Sequence, residues 1–133
     1  MTGLRTPVVK SDCTHVYYDY PLVYDAKLSG VSRSRLIEAL SAEGVSVSGG
    51  YQNIHLLPIF QKKIAYGSKG FPWRLGNEDS EVDYEKGICP VAEGMNDKQF
   101  MSLPVCMYDF SDQDIALTVA AFRKVWANLA VLH

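Results

Sequence analysis

The sequence predicts an α+β domain in which a small antiparallel sheet is flanked by helices, and three observations carry that prediction. Residues 15–25 alternate with the two-residue period of a strand that buries one face. Leu36, Ile37 and Leu40 form an apolar stripe at helical spacing. Ile115, Val119, Phe122, Trp126 and Leu129 form a second, at steps of four and three.

The first strand sets Val16, Tyr18, Tyr20, Leu22 and Tyr24 on one face and His15, Tyr17, Asp19, Pro21 and Val23 on the other. Pro21 has no N–H for a ladder, so this strand is expected at a sheet edge or with a break there. Tyr17, Tyr18, Tyr20 and Tyr24 are expected to keep their hydroxyls at the sheet rim. A helix follows from the candidate N-cap Ser32, with Arg33, Arg35, Glu38 and Glu43 on its wet side and Gly44 as its stop. Residues 45–48 alternate again as a short strand, and Gly49-Gly50 opens a loop.

Pro58 starts a short helix within residues 56–64. Residues 67–87 are polar and acidic, a surface excursion anchored by Phe71 and Trp73. A helix is predicted over residues 90–100 with Val91, Met95 and Phe100 inward, running into a strand at Met101-Ser102-Leu103 that Pro104 ends. Ser111-Asp112-Gln113-Asp114 reads as a capping-box start for the last helix. With no repeat, low-complexity tract or linker, residues 1–133 are expected to form a single domain.

A chain of 133 residues, 47% of them hydrophobic, can bury roughly two thirds of its unfolded surface without metal or disulfide. Disorder is therefore excluded. The 13 Lys and Arg and 15 Asp and Glu are intermixed, with no basic stripe for a phosphate backbone, which argues against nucleic acid as the main ligand. No run approaches the ~20 apolar residues of a membrane span, and residues 1–10 lack the build of a signal peptide, so a soluble cytoplasmic protein is expected. Cys13, Cys89 and Cys106 are an odd number at wide spacings, which suits neither a disulfide framework nor a zinc knuckle, and are read as reduced and mostly structural.

No spacing matches a phosphate loop, a nucleophile elbow, a zinc site or a dinucleotide fingerprint, so no catalytic or metal-ligating residue is assigned. The first candidate site is the loop Gly49-Gly50-Tyr51-Gln52-Asn53-Ile54-His55, which follows a strand where ligand-contacting groups are commonly mounted. His55 can exchange a hydrogen bond with a substrate hydroxyl or phosphate, but the residues alone favour a structural histidine bonding its own loop. Tyr51 can bond a ligand, or pack with a wet hydroxyl. The acidic run Glu78, Asp79, Glu81, Asp83 and Glu85 fails the calcium-loop pattern, because Tyr84 stands where glycine is needed, and reads as a solvated loop. Glu93 reads as a capping residue at a helix start, and Cys89 as an inert thiol.

Several stretches, taken in order, resemble a known series: His15-Val16-Tyr17-Tyr18-Asp19-Tyr20, Leu40-Ser41-Ala42-Glu43-Gly44-Val45, Gly50-Tyr51 with His55 and Pro58, Cys89-Pro90-Val91-Ala92-Glu93 and Leu103-Pro104. From about Leu4 to Leu132 the chain is similar to the C-terminal part of the DegT/StrS family of pyridoxal-phosphate-dependent sugar aminotransferases, nearest the branch that aminates keto sugars or cyclitols. It departs from that family in carrying Gly50 where many relatives have a histidine, and Gln52-Asn53 where a proline is usual.

The resemblance implies the small domain of a fold-type-I aminotransferase. In such enzymes the Schiff-base lysine, the aspartate on the pyridine nitrogen and the phosphate contacts sit in a large N-terminal domain. The catalytic lysine is accordingly expected to be absent here, with no cofactor bound to this chain and no activity in isolation. Tyr51 and His55 carry over as candidate substrate contacts, and Glu93 as structural. The implied complete protein is a homodimer that uses pyridoxal phosphate to move an amino group from glutamate or glutamine to a keto sugar or keto cyclitol. The alternatives are a stand-alone module that binds a sugar or nucleotide sugar without turnover, and a partner-binding domain that associates through an exposed apolar face.

Overall fold

A computed structural model describes residues 1–74 and 82–132. Its chain contacts resolve two units, Met1–Gly50 with Asp97–His133, and Tyr51–Asn96. Four short strands make one antiparallel sheet, and with five α-helices among the described residues the arrangement is α+β, as predicted.

The sheet belongs to the first unit and runs in the order β1-β2-β4-β3. Strand β2 (Tyr20–Tyr24) pairs with β4 (Phe100–Leu103) from Tyr20 opposite Leu103 to Val23 opposite Phe100. Strand β1 (Leu4–Arg5) meets β2 only at Val23 and Tyr24, and β3 (Ser48–Gly49) pairs with β4 at Ser102 and Met101. The strand expected over residues 15–25 is thus five residues long, because β4 offers it four partners. Val16 and Tyr18 lie exposed. Pro21 sits in a strand that is inner by order, yet the β1 ladder stops short of it, so the strand has a local edge where a residue without N–H is tolerated.

Tyr24 corrects the expectation of hydroxyls at the rim. It is fully buried, and its hydroxyl is satisfied by Ser29 Oγ and, at 2.7 Å, by the Val31 carbonyl. A paired phenol can be buried at little polar cost, which is how the core accommodates it. Asp25 caps the one-turn helix α1 (Ala26–Ser29), which the sequence pattern did not reveal.

Helix α2 (Arg33–Ala42) starts where predicted, with the Arg35 N–H donating to Ser32 Oγ at 3.3 Å. Leu36 and Leu40 are its buried positions. At its end Gly44 takes φ +84°, its N–H bonds the Ser41 carbonyl and the Val45 N–H bonds the Leu40 carbonyl, both at 3.0 Å. This is a Schellman closure, whose hydrophobic partner is the buried pair Val45 and Leu40. Val45 therefore belongs to the end of the helix rather than to a strand, β3 begins at Ser48, and the sharp turn falls at Gly50 (φ +77°).

Helix α5 (Asp112–Ala127) carries the predicted capping box: Asp114 N–H to Ser111 Oγ at 3.2 Å and Ser111 N–H to Asp114 Oδ2 at 2.9 Å. Only the C-terminal half of its stripe is covered. Ala121, Phe122 and Val125 are buried, while Ile115 and Val119 are exposed. Sixteen residues of helix extend about 24 Å, and a four-residue ladder spans about 13 Å, so the sheet is too small to cover the whole helix. The core comprises Leu22, Tyr24, Leu36, Leu40, Val45, Met101, Ala121, Phe122 and Val125.

The second unit has a small aromatic centre. Phe60, in α3 (Pro58–Gln61), meets the rings of Trp73 and Tyr84 at 6.0 and 5.3 Å, and the Trp73 indole donates to the Tyr84 hydroxyl at 2.9 Å. Trp73 is thus the anchor expected of it, whereas Phe71 is exposed and pairs with the ring of Tyr66. Glu78, Asp79 and Glu81 of the acidic run lie outside the described residues.

The helix predicted over residues 90–100 is α4 (Pro90–Gly94), followed by a wide-turn stretch Met95–Gln99 before β4. Val91, expected inward, is 80% exposed, and Glu93 is the buried residue. A five-residue helix has one inward position, and here hydrogen bonding rather than hydrophobicity fills it. Among the described residues no helix is long and apolar enough to cross a membrane.

Candidate functional site

The candidate loop leaves the sheet at Gly50, whose positive φ turns the chain. The Tyr51 N–H then donates to Asn96 Oδ1. A single 3₁₀ turn, Ile54–Leu56, follows, and Leu57 in extended backbone leads into Pro58 at the first position of α3. Proline fits there because its missing N–H is one that a helix start leaves unbonded. Gln61, one turn further on, sends its side-chain amide back to the His55 carbonyl at 2.8 Å and to the Tyr84 carbonyl at 2.6 Å. Thus the backbone of His55 is fastened by a residue that its own loop does not contain.

The side chain is fastened more firmly. His55 Nε2 lies 2.9 Å from Glu93 Oε1, and the same oxygen accepts the Gly87 N–H at 2.8 Å and the Cys89 N–H at 3.3 Å. The two side chains are only 10% and 9% exposed. The Gly87 N–H does most to hold the Glu93 carboxyl below its ordinary value; burial opposes this, and the Cys89 N–H and His55 add to the lowering. Glu93 is therefore an anion at neutral pH. A carboxylate only accepts, so the proton of this contact resides on His55 Nε2.

The structure sorts the candidates. His55 bonds across 38 residues of sequence to Glu93 and not within its own loop. Glu93 keeps its capping role, since it takes the N–H of Cys89, the residue that caps α4, and gains a second role in holding the imidazole. Tyr51 is anchored through its backbone while its side chain is 63% exposed, and no hydrogen bond or ring contact joins that side chain to His55. Cys89 is half-buried. Gln61 and Asn96 were not singled out from the sequence, because an amide that bonds distant backbone leaves no local pattern.

A pyridoxal cofactor needs a lysine amine in an enclosed pocket beside it. Of the eight lysines seven are exposed and Lys63 is half-buried, so the lysines of this chain do not supply such a pocket. Among the described residues no three His, Cys, Asp or Glu side chains converge as a metal ion requires.

No protein-family model matches the chain. Over 71 residues it is 38% identical to the spore coat polysaccharide biosynthesis protein SpsC of Bacillus subtilis (strain 168). That stretch makes up 53% of this chain and 18% of the length of that relative.

Proposed function

We propose that these residues are the C-terminal small domain of a pyridoxal-phosphate-dependent aminotransferase of the DegT/StrS kind, which transfers an amino group from glutamate or glutamine to a keto sugar or keto cyclitol. The observation that carries this reading is the 38% identity to a polysaccharide biosynthesis protein of which the match spans less than a fifth. The ordered motifs of the sequence and the α+β sheet agree with it.

In this reading the labour is divided. The cofactor, its lysine and the proton transfers belong to a large domain, in a cytoplasmic homodimer, and this domain walls the sugar side of the pocket. Tyr51, with its ring exposed, and His55, with its ring held by Glu93, are the substrate contacts. The domain alone is inactive.

The test begins with the reading frame upstream of Met1, where a fold-type-I large domain with its lysine is expected. The full-length protein should show the visible absorbance of lysine-bound cofactor and aminate a keto sugar; a full-length protein with neither property overturns the proposal. Treating the 133-residue chain with pyridoxal phosphate and borohydride should label no lysine, and a stoichiometric adduct at one position contradicts the division of labour. Calorimetric sugar binding by the isolated chain, lost in Tyr51→Ala, would favour a stand-alone binding module instead.

A further inference from the structure

We infer that Glu93 is a positioning residue that fixes the Nε2–H tautomer of His55, so that Nδ1 is the atom offered to ligand and the group it meets is a neutral hydrogen-bond donor, a sugar or cyclitol hydroxyl. The part of this inference that concerns ligand rests on the proposed function. The tautomer does not.

Three donors converge on Glu93 Oε1: Gly87 N–H, Cys89 N–H and His55 Nε2–H. Two of them are backbone groups that can do nothing but donate, so they define that oxygen as an acceptor whatever the histidine does. The imidazole must then present a proton to it, and a neutral ring with its proton on Nε2 has a lone pair on Nδ1. Among the described residues neither Nδ1 nor Glu93 Oε2 makes a hydrogen bond. Yet no buried side-chain nitrogen or oxygen among the described residues lacks a partner, so both atoms reach the surface of a pair that is otherwise nine-tenths covered.

With the ring neutral, both open atoms are acceptors, and one belongs to a carboxylate. A phosphate or carboxylate brought to this place meets negative charge and finds no proton to accept, whereas a hydroxyl can donate. Of the two partners that histidine chemistry allows in general, hydroxyl and phosphate, the pair selects the hydroxyl.

The first experiment uses the 133-residue chain itself. A long-range proton–nitrogen spectrum of the histidines at pH 8, with His55 assigned through His55→Gln, should show the Nε2–H form of His55. Glu93→Gln, which keeps the shape but removes the charge, should erode that preference. A His55 ring that is Nδ1–H or an even mixture in the unaltered chain overturns the inference, and this reading needs no variant to fold.

The second uses the full-length enzyme. Glu93→Gln should raise KM for the keto acceptor about tenfold, the worth of roughly one hydrogen bond, and raise it more than it lowers kcat. A merely structural role would reduce the active fraction, lowering kcat at constant KM, and that result also overturns the inference. A full-length protein without aminotransferase activity removes the proposed function and leaves the tautomer result standing, so the two failures are distinguishable.

Discussion

A proton added to Glu93 disturbs three hydrogen bonds at once, because all three donors share one oxygen. These contacts hold its pKa below the ordinary 4.5, so their stabilisation is present in full above pH 4.5 and is lost as pH falls through the lowered value. Hydrogen exchange at the Gly87 and Cys89 amides should be pH-normalised and flat above that point, then accelerate below it. In Glu93→Gln the acid-dependent step should vanish; an unchanged step in that variant would place the titration elsewhere. His55 was legible in the sequence as a candidate, but its partner was not, since a bond between residues 38 positions apart leaves no spacing to read. Val91 misled for a related reason. In so short a helix apolar periodicity has no second turn in which to repeat, and the choice of inward residue fell to the backbone donors before it.

Helix ends marked by a cap or a stop residue were legible to within a residue. Helix α2 has Ser32 and Gly44 as its punctuation, and α5 has Ser111 with Asp114. Those signals yield two predictions. An added Cβ at Gly44 meets no atom within 4 Å, so Gly44→Ala isolates the cost of a left-handed residue, about 1 kcal/mol in urea unfolding. Ser111→Ala should cost a similar ~1 kcal/mol and raise the Asp114 pKa, which the Ser111 hydroxyl and then its N–H now hold down, readable by carboxyl NMR. The strands were less legible. Tyrosine-rich alternation ran on to His15, but strand length is decided by the partner, and β4 supplies only four residues. The exposed Ile115 and Val119 have the same origin, a regular local pattern longer than the sheet available to cover it.

At the scale of the whole molecule, every buried hydrophobic residue among the described ones lies in the unit Met1–Gly50 with Asp97–His133. The unit Tyr51–Asn96 is held instead by half-buried aromatic rings and by the bonds to Glu93. Regions with few buried apolar contacts open at lower free energy, so amides of residues 51–74 and 82–96 should exchange through local opening well before those of β2 and β4. Uniform exchange across both units would contradict this. Leu36→Ala, at a position with no exposure, should remove about 2–5 kcal/mol from the sheet-bearing unit and lower its denaturation midpoint.

The chain has two tryptophans, and one lies in each unit. Trp126 stacks on Phe122 with its indole N–H on the Thr2 carbonyl, while Trp73 stands edge-on to Phe60 and donates to Tyr84. The molecule therefore contains a built-in pair of optical reporters. Trp73→Phe would leave emission from the sheet side alone, Trp126→Phe from the other, and comparing the two melting curves would tell whether the halves come apart together or in sequence.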